Sequence, residues 1–299
     1  MVKMVVAGAA GRMGKRLIAA IRETSDAVLA GAVECAGHPH LGEDAGLLDG
    51  GGVLGVPLVD SLDAAFADDA VLIDFSAVDA TMAHLAFCRA RKVPMVIGTT
   101  GLNAEQKKEL QDASREIPVV FAPNMSVGVN VCLRMLKELA KVLGPDFEVE
   151  ILEMHHNRKK DAPSGTALRM GEVVAETLGR DLASSAVYSR HGQTGERTRD
   201  EIGIQALRGG DIVGEHTVYF IGMGERIELT HRAMTRDMFA RGAVRAALWL
   251  SGQAPGLYDM QDVLGIKLGW KSEIQHNITR RVFCSRTRRM VETRNGQNQ

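Results

Sequence analysis

Lys3-Met-Val-Val-Ala-Gly-Ala-Ala-Gly-Arg-Met-Gly14 is the stretch that decides the fold. Met4–Ala7 is a short apolar run, half of it β-branched, which predicts a strand. Gly8, Gly11 and Gly14 follow it directly, and Leu17, Ile18 and Ile21 then recur at helical spacing, which predicts a helix over Arg12–Glu23. Strand, glycine turn and helix in that order are the setting of a dinucleotide-binding fingerprint, here spaced GxxGxxG rather than GxGxxG. Glycines let the backbone turn tightly and approach a pyrophosphate, while the helix N-terminus faces its charge. A second strand, Val28–Val33, ends at Glu34, where a carboxylate can accept hydrogen bonds from ribose hydroxyls.

Downstream the alternation continues. Val71–Phe75, Pro94–Gly98 and Val119–Ala122 read as strands, and Leu62–Ala67, Ala80–Arg91 and Ala104–Arg115 as helices, with residues 36–57 as loop. This pattern predicts a parallel sheet wound on both sides by helices. Ligands bind at strand C-termini in such sheets. Those ends carry Asp74-Phe75-Ser76, Gly98-Thr99-Thr100-Gly101 and Ala122-Pro123-Asn124-Met125-Ser126. Gly98-Thr99-Thr100 suits either a nicotinamide ribose or a plain glycine turn. Asn124-Met125-Ser126 suits either a ligand loop or the cap of a helix over Val127–Val142.

After Gly144-Pro145 the pattern changes. Phe147–Met154 alternates polar and apolar residues, as a half-buried strand does. A helix over Thr166–Leu178 follows, then strands over Ala186–Ser189, Ile202–Leu207, Val213–Phe220 and Glu225–His231. Hairpin-like breaks at Gly209-Gly210 and Gly222-Met223-Gly224 predict an antiparallel or mixed sheet. The last helix, Arg236–Ser251, has an apolar stripe and is expected to return to the first domain. The fold class expected is therefore α/β, a Rossmann-like doubly wound parallel sheet with a second α+β domain. Its parts are 1–126 with about 236–268, then 127–235, then a basic extension over 269–299.

The chemistry concentrates in Glu153–Ala167, EMHHNRKKDAPSGTA. His155, His156, Arg158, Lys159 and Lys160 fall within six positions, and Ser164-Gly165-Thr166 opens a helix. An open helix N-terminus beside cations suits a small molecule with more than one negative charge. Histidine adds a group that exchanges protons near neutral pH. Adjacent histidines on a strand point to opposite faces, so His155 and His156 cannot share one task. Glu153, His155 and His156 are the candidate metal ligands, but without an HExxH pattern or a cysteine partner no metal site is expected. His191, His216 and His231 suit either the lining of a substrate cleft or the satisfying of strand ends, and the second is expected.

The chain has 299 residues, 45% hydrophobic and 24% charged, with a formal net charge of −1, which allows two domains with separate cores. No apolar run reaches the length of a membrane span, and the start enters a strand at once, with no room for a signal peptide. Four scattered cysteines read as reduced thiols, so a cytoplasmic protein is expected. From Trp270 onward seven Lys or Arg face two acids. Aromatic interleaving and any recognisable nucleic-acid module are missing there, so no nucleic-acid partner is expected.

These motifs together resemble the 4-hydroxy-tetrahydrodipicolinate reductase family, long called dihydrodipicolinate reductase. The resemblance runs from residue 3 to about 266 and rests on GAAGRMG at 8–14, DFS at 74–76, IGTTG at 97–101, NMSVGVN at 124–130 and the segment 153–167, the last being specific to the family. YSRHGQTGER at 188–197, GDIVGEH at 210–216 and ALWL at 247–250 add to it. It implies reduction of a cyclic dicarboxylate in lysine and diaminopimelate biosynthesis, with hydride from NADH or NADPH, and a homotetramer. It implies His155 as proton donor, Lys159 as proton donor or substrate ligand, His156 as a substrate contact, and Ser164, Gly165 and Thr166 as the grip on a carboxylate. Cofactor positions implied are Gly8, Ala9, Ala10, Gly11, Arg12, Met13, Glu34, Gly98, Thr99, Thr100, Ala122, Pro123, Asn124 and Met125.

A histidine with an ordinary pKa of ~6.5 suits proton delivery near neutrality, whereas a lysine at ~10.4 needs desolvation or cationic neighbours. His155 is therefore the expected acid and Lys159 chiefly a clamp. Many relatives have Arg after the acid of the second strand, where this chain has Cys35, which tilts the expected preference towards NADH. Two other functions fit the same motifs: another nicotinamide-dependent two-domain oxidoreductase, and a catalytically silent NAD-binding sensor.

Overall fold

From Met4 onward β1 (Val2–Ala7) is buried, as the middle strand of a sheet covered on both faces must be. The computed structural model describes residues 1–66 and 68–267. Ala67, the end of one expected helix, and the basic extension 269–299 lie outside the described residues.

Chain order runs β1, α1 (Arg12–Arg22), β2 (Ala27–Val33), β3 (Leu58–Val59), α2 (Leu62–Ala65), β4 (Ala70–Asp74), α3 (Val78–Arg91), β5 (Met95–Ile97), α4 (Ala104–Ala113), β6 (Pro118–Phe121) and α5 (Val127–Leu143). There follow β7 (Glu148–His155), α6 (Gly165–Leu178), α7 (Leu182–Ser185), β8 (Ala186–Val187), β9 (Ile202–Arg208), β10 (Gly214–Ile221), β11 (Arg226–Ala233), α8 (Asp237–Leu250), β12 (Gly256–Tyr258) and α9 (Met260–Val263). Residues 1–263 form one compact unit.

The first sheet is parallel throughout, in the order β12-β6-β5-β4-β1-β2-β3. The order reverses direction at β1, so β1 and β4 flank the switch point where such sheets take ligands. Val5, Leu72, Met95, Ile97, Leu85 and Leu110 pack one face, between the sheet and α3 and α4. Helices α1 and α8 cover the other, so α8 does return to the first sheet. Gly14 explains how α1 comes so close: a Cβ there would lie 2.2 Å from the Gly8 carbonyl oxygen and 2.5 Å from Ala9 Cα.

The second sheet is mixed, in the order β11-β10-β7-β9-β8. Val149, Ile151, Ile202, Ile204, Val218 and Phe220 point to one face and pack on Leu133, Leu136, Met170 and Val174 of α5 and α6. One expectation changes here. Gly209-Gly210 does not close a hairpin, because β7 lies between β9 and β10 and pairs parallel with the first and antiparallel with the second. The segment after β9 instead wraps the end of β7: Gly209 N donates to His155 O, Asn157 N to Gly210 O and His156 N to Ile212 O. Gly222-Met223-Gly224 does close the β10–β11 hairpin. Among the described residues no helix is long and apolar enough to cross a membrane.

Candidate active site

The ends of β1, β2 and β4 border a cleft of about 610 Å³ lined by Gly8, Gly11, Glu34, Asp60, Ser76 and His84. Gly8 turns the chain at φ 70°. Helix α1 begins at Arg12 with no side-chain cap and no acid in its first turn, so its N-terminal charge is left to whatever occupies the cleft. Glu34 is held at the rim: its Oε2 accepts from Ala10 N at 3.1 Å and its Oε1 from Cys35 N at 3.0 Å. A cradle of close-set backbone with an uncapped helix end and a ribose-height carboxylate fits a dinucleotide.

Behind this cleft Asp74 is fully buried and gathers Ser76, Thr81, Thr99 and His84. Thr99 is thereby fixed next to Thr100, which lies in a second cleft of about 600 Å³. Thr100, Ala122, Pro123 and Asn124 come to that cleft from the first sheet, and His155, Lys159, Ser164, Gly165 and Thr166 from the second. The two sides touch where Asn124 Nδ2 donates to Thr166 Oγ1 at 3.1 Å.

Three polar groups shape the second side. Ser164 caps α6, its Oγ accepting from Ala167 N at 3.1 Å, and lies 2.8 Å from His216 Nε2. Lys159 Nζ donates to Asp161 Oδ2 at 2.6 Å. Glu153, fully buried, accepts from Arg208 through both guanidinium nitrogens (2.7 and 2.8 Å), from Ser164 N (2.9 Å) and from His155 Nδ1 (2.6 Å). Burial works to raise the Glu153 carboxyl, but the Arg208, His155 and Ser164 hydrogen bonds outweigh it and hold it below the usual carboxylate range. Burial lowers His155, opposed by Glu153 and reinforced by Lys159 and Arg208, for a net depression. Burial pushes His216 down to about 4, with the His155 charge adding to it. His216 is therefore neutral near pH 7.

Comparison with known proteins agrees in sequence and in fold. The chain matches the family model "Dihydrodipicolinate reductase, N-terminus" over residues 2–125 and "Dihydrodipicolinate reductase, C-terminus" over residues 128–264. It is 61% identical to 4-hydroxy-tetrahydrodipicolinate reductase of Geobacter sulfurreducens over 267 residues, 89% of this chain and 100% of the relative. The same enzyme of Geotalea daltonii is 60% identical over the same shares. The chain belongs to the dihydrodipicolinate reductase family. A solved relative, a dipicolinate-bound dihydrodipicolinate reductase from Paenisporosarcina sp. TG-14, superposes with a TM-score of 0.70 at 23% identity, over 88% of this chain and 98% of that one, which carries the fold.

Within this family member the expected residues divide into three groups, with His156 apart from all of them. Gly8, Gly11 and Glu34 line the first cleft, with Ala9 and Ala10 in the turn between the glycines and Arg12 and Met13 opening α1. Gly98 and Thr99 follow β5 directly, beside the buried Asp74, and Met125 is buried against α8. His155, Lys159, Ser164, Gly165 and Thr166 converge with Thr100 and Ala122–Asn124. His156 does not line that cleft, and its Nδ1 is buried without a partner. From sequence alone Arg208 carries no signal, His216 reads foremost as a strand-end group and Glu153 only as a rejected metal ligand. The register could have found them, since Glu153 pairs with His216 and His155 with Arg208 across neighbouring strands.

Proposed function

We propose that this chain reduces 4-hydroxy-tetrahydrodipicolinate to tetrahydrodipicolinate with a reduced nicotinamide nucleotide, in lysine and diaminopimelate biosynthesis. The observation that carries it is the convergence, on one cleft, of the first sheet's Thr100 and Ala122–Asn124 with the second sheet's His155, Lys159 and α6 N-terminus. Residues 1–126 with about 236–268 act as the nucleotide domain, and 127–235 as the substrate domain. When bound, the nicotinamide supplies the hydride.

The chain's own residues do the rest. Glu153 takes the Ser164 N–H and the Ser164 hydroxyl oxygen takes that of Ala167, which leaves the Gly165 and Thr166 N–H groups for a carboxylate. The Thr166 hydroxyl adds a donor. Lys159 exchanges Asp161 for the substrate's second carboxylate, acting as a clamp. His155 gives the proton that accompanies the hydride. Glu34 holds the adenosine ribose, and with Cys35 and Asp60 beside it the site prefers NADH to NADPH.

A homotetramer follows the resemblance. The face of the second sheet opposite α5 and α6 carries Leu152, Met154 and the half-exposed Leu207, and another copy would cover it. A cytoplasmic location suits the free cysteines Cys35, Cys88 and Cys132.

The test is oxidation of reduced nicotinamide by the purified chain supplied with the condensation product of pyruvate and aspartate semialdehyde. The expected result is loss of the nucleotide's near-ultraviolet absorbance, dependent on that product. A chain that bound neither NADH nor NADPH in a titration would end this reading.

A further inference from the structure

The buried carboxylate of Glu153 heads the segment 153–167 but is given no role in binding cofactor or substrate, yet it accepts four hydrogen bonds. It ties β7 to β9 through Arg208, to α6 through the Ser164 N–H, and to the imidazole of His155 two residues along its own strand. An ionised carboxylate only accepts hydrogen bonds, so the 2.6 Å contact fixes the proton of His155 on Nδ1. Nε2 lies against Gly214 of β10, where a Cβ would come within 2.9 Å of it. The ring's flank meets the His216 ring edge-on, at 5.2 Å between centroids. The imidazole is thus oriented from two strands, β7 and β10.

We propose that Glu153, charge-balanced by Arg208, is the positioning residue for the proton donor. Its carboxylate keeps Nδ1 protonated and leaves Nε2 to carry the proton that is transferred. The inference rests on the reading of His155 as donor and adds to it the group that sets the tautomer, the ring orientation and the charge of the donor. This is the arrangement of an acid–base histidine steadied by a third group. On transfer the Nε2–H bond breaks with its electron pair left on nitrogen, and the ring returns to the neutral form with Nδ1–H still on Glu153.

The charged groups around His155 make the proposal directional. Glu153 of β7 favours the imidazolium. Against it stand Arg208 of β9 and Lys159 on the loop after β7, whose partner Asp161 screens it in part. His216 of β10 is neutral near pH 7, and His231 of β11 pairs in register with it. A donor must be protonated to act, so turnover falls as pH rises through its pKa. Removing the Glu153 charge (Glu153→Gln) should move that basic limb to lower pH. Removing the opposing cation (Arg208→Gln) should move it to higher pH.

The experiment is the pH profile of kcat/KM for both variants, together with the imidazole nitrogen signals of His155 by NMR in the free enzyme. Glu153→Gln is expected to lower kcat by about 10–100-fold, the range for losing a group that orients a histidine through its other ring nitrogen, with substrate KM little changed. Its Nδ1–H signature should be lost and its titration displaced downward, while Arg208→Gln shifts the titration upward. A merely structural Glu153 would lower the melting temperature and leave profile and titration in place, which overturns the proposal. Should Glu153→Gln fail to fold, Arg208→Gln decides alone, since an unmoved or downward limb contradicts the mechanism. His155→Gln separates the two levels. Full turnover in that variant sinks the donor reading itself, whereas loss of turnover there with an unmoved profile in the other two sinks only the role of Glu153.

Discussion

Asn124 Nδ2 donates to Thr166 Oγ1 at 3.1 Å, joining the loop after β6 to the first turn of α6. The amide is itself fixed, because its Oδ1 accepts from Ser126 N at 2.9 Å. With its oxygen occupied by Asn124, the Thr166 hydroxyl keeps its own proton for a substrate carboxylate. Asn124→Ala should therefore raise the dicarboxylate KM about 3–10-fold, the worth of one hydrogen bond. Asn124→Asp should raise it further, since the new carboxylate takes the Thr166 proton and adds like charge. Steady-state kinetics at saturating nucleotide measure both. Equal KM values in the two variants would contradict this account.

Lys159 is held by Asp161 at 2.6 Å in the free chain, and Asp161 is mostly exposed. If the lysine is a clamp, Lys159→Gln raises substrate KM by about 10–100-fold, the range for a charge-assisted hydrogen bond, and lowers kcat less. Asp161→Asn works the other way. An exposed ion pair is worth at most ~1 kcal/mol, so freeing the lysine should lower KM by no more than about fivefold. Loss of turnover in Lys159→Gln at unchanged KM would make the lysine a proton donor instead.

How much of this could be read from sequence differs by region. The β1–α1 turn, the strand ends and the segment 153–167 were legible because each rests on local chemistry: glycine geometry, hydrophobic period, clustered charge. Helix α8 was legible as a helix with a stripe, and its return to the first sheet followed. The contacts of Arg208 with Glu153 and of His216 with Ser164 were not, because each joins residues more than 50 positions apart that only the assembled second sheet and α6 bring together. The insertion of β7 between β9 and β10 was hidden for the same reason, since glycines at 209–210 serve a crossing as readily as a hairpin.

Cofactor preference should follow the rim of the first cleft. Glu34, Cys35 and Asp60 all line it, and the proposed preference for NADH takes Cys35 as the position where an arginine would meet a 2′-phosphate. NADH should give the higher kcat/KM. Cys35→Arg should raise kcat/KM for NADPH by about tenfold, as a charge-assisted contact to the phosphate forms, with NADH little affected. Parallel assays with the two nucleotides measure the ratio, and a strong native preference for NADPH would refute the argument.

Asp74 offers a stability test outside the substrate cleft. Its Oδ1 accepts from the Ser76 hydroxyl at 2.6 Å and from Thr81 and Thr99, and its Oδ2 lies 2.6 Å from His84 Nδ1. Burial works to raise this carboxyl, but the hydrogen bonds from His84 and Ser76 prevail and hold it below its ordinary value of 3.8. A folded-state pKa below the unfolded one means that the charged form stabilises the fold above pH 3.8, and that this contribution is lost as pH falls through the lower folded value. Asp74→Asn removes the charge at every pH. It should lower stability near neutrality by about 2–3 kcal/mol, the worth of hydrogen bonds to a buried charge, or roughly 5–10 °C in Tm. The gap between the two proteins should close in strong acid, where the native carboxyl is itself protonated. Thermal melts of both chains across the acid range measure it, and a gap that stayed constant into strong acid would mean that the ionised carboxylate is not what holds Thr99 and His84 in place.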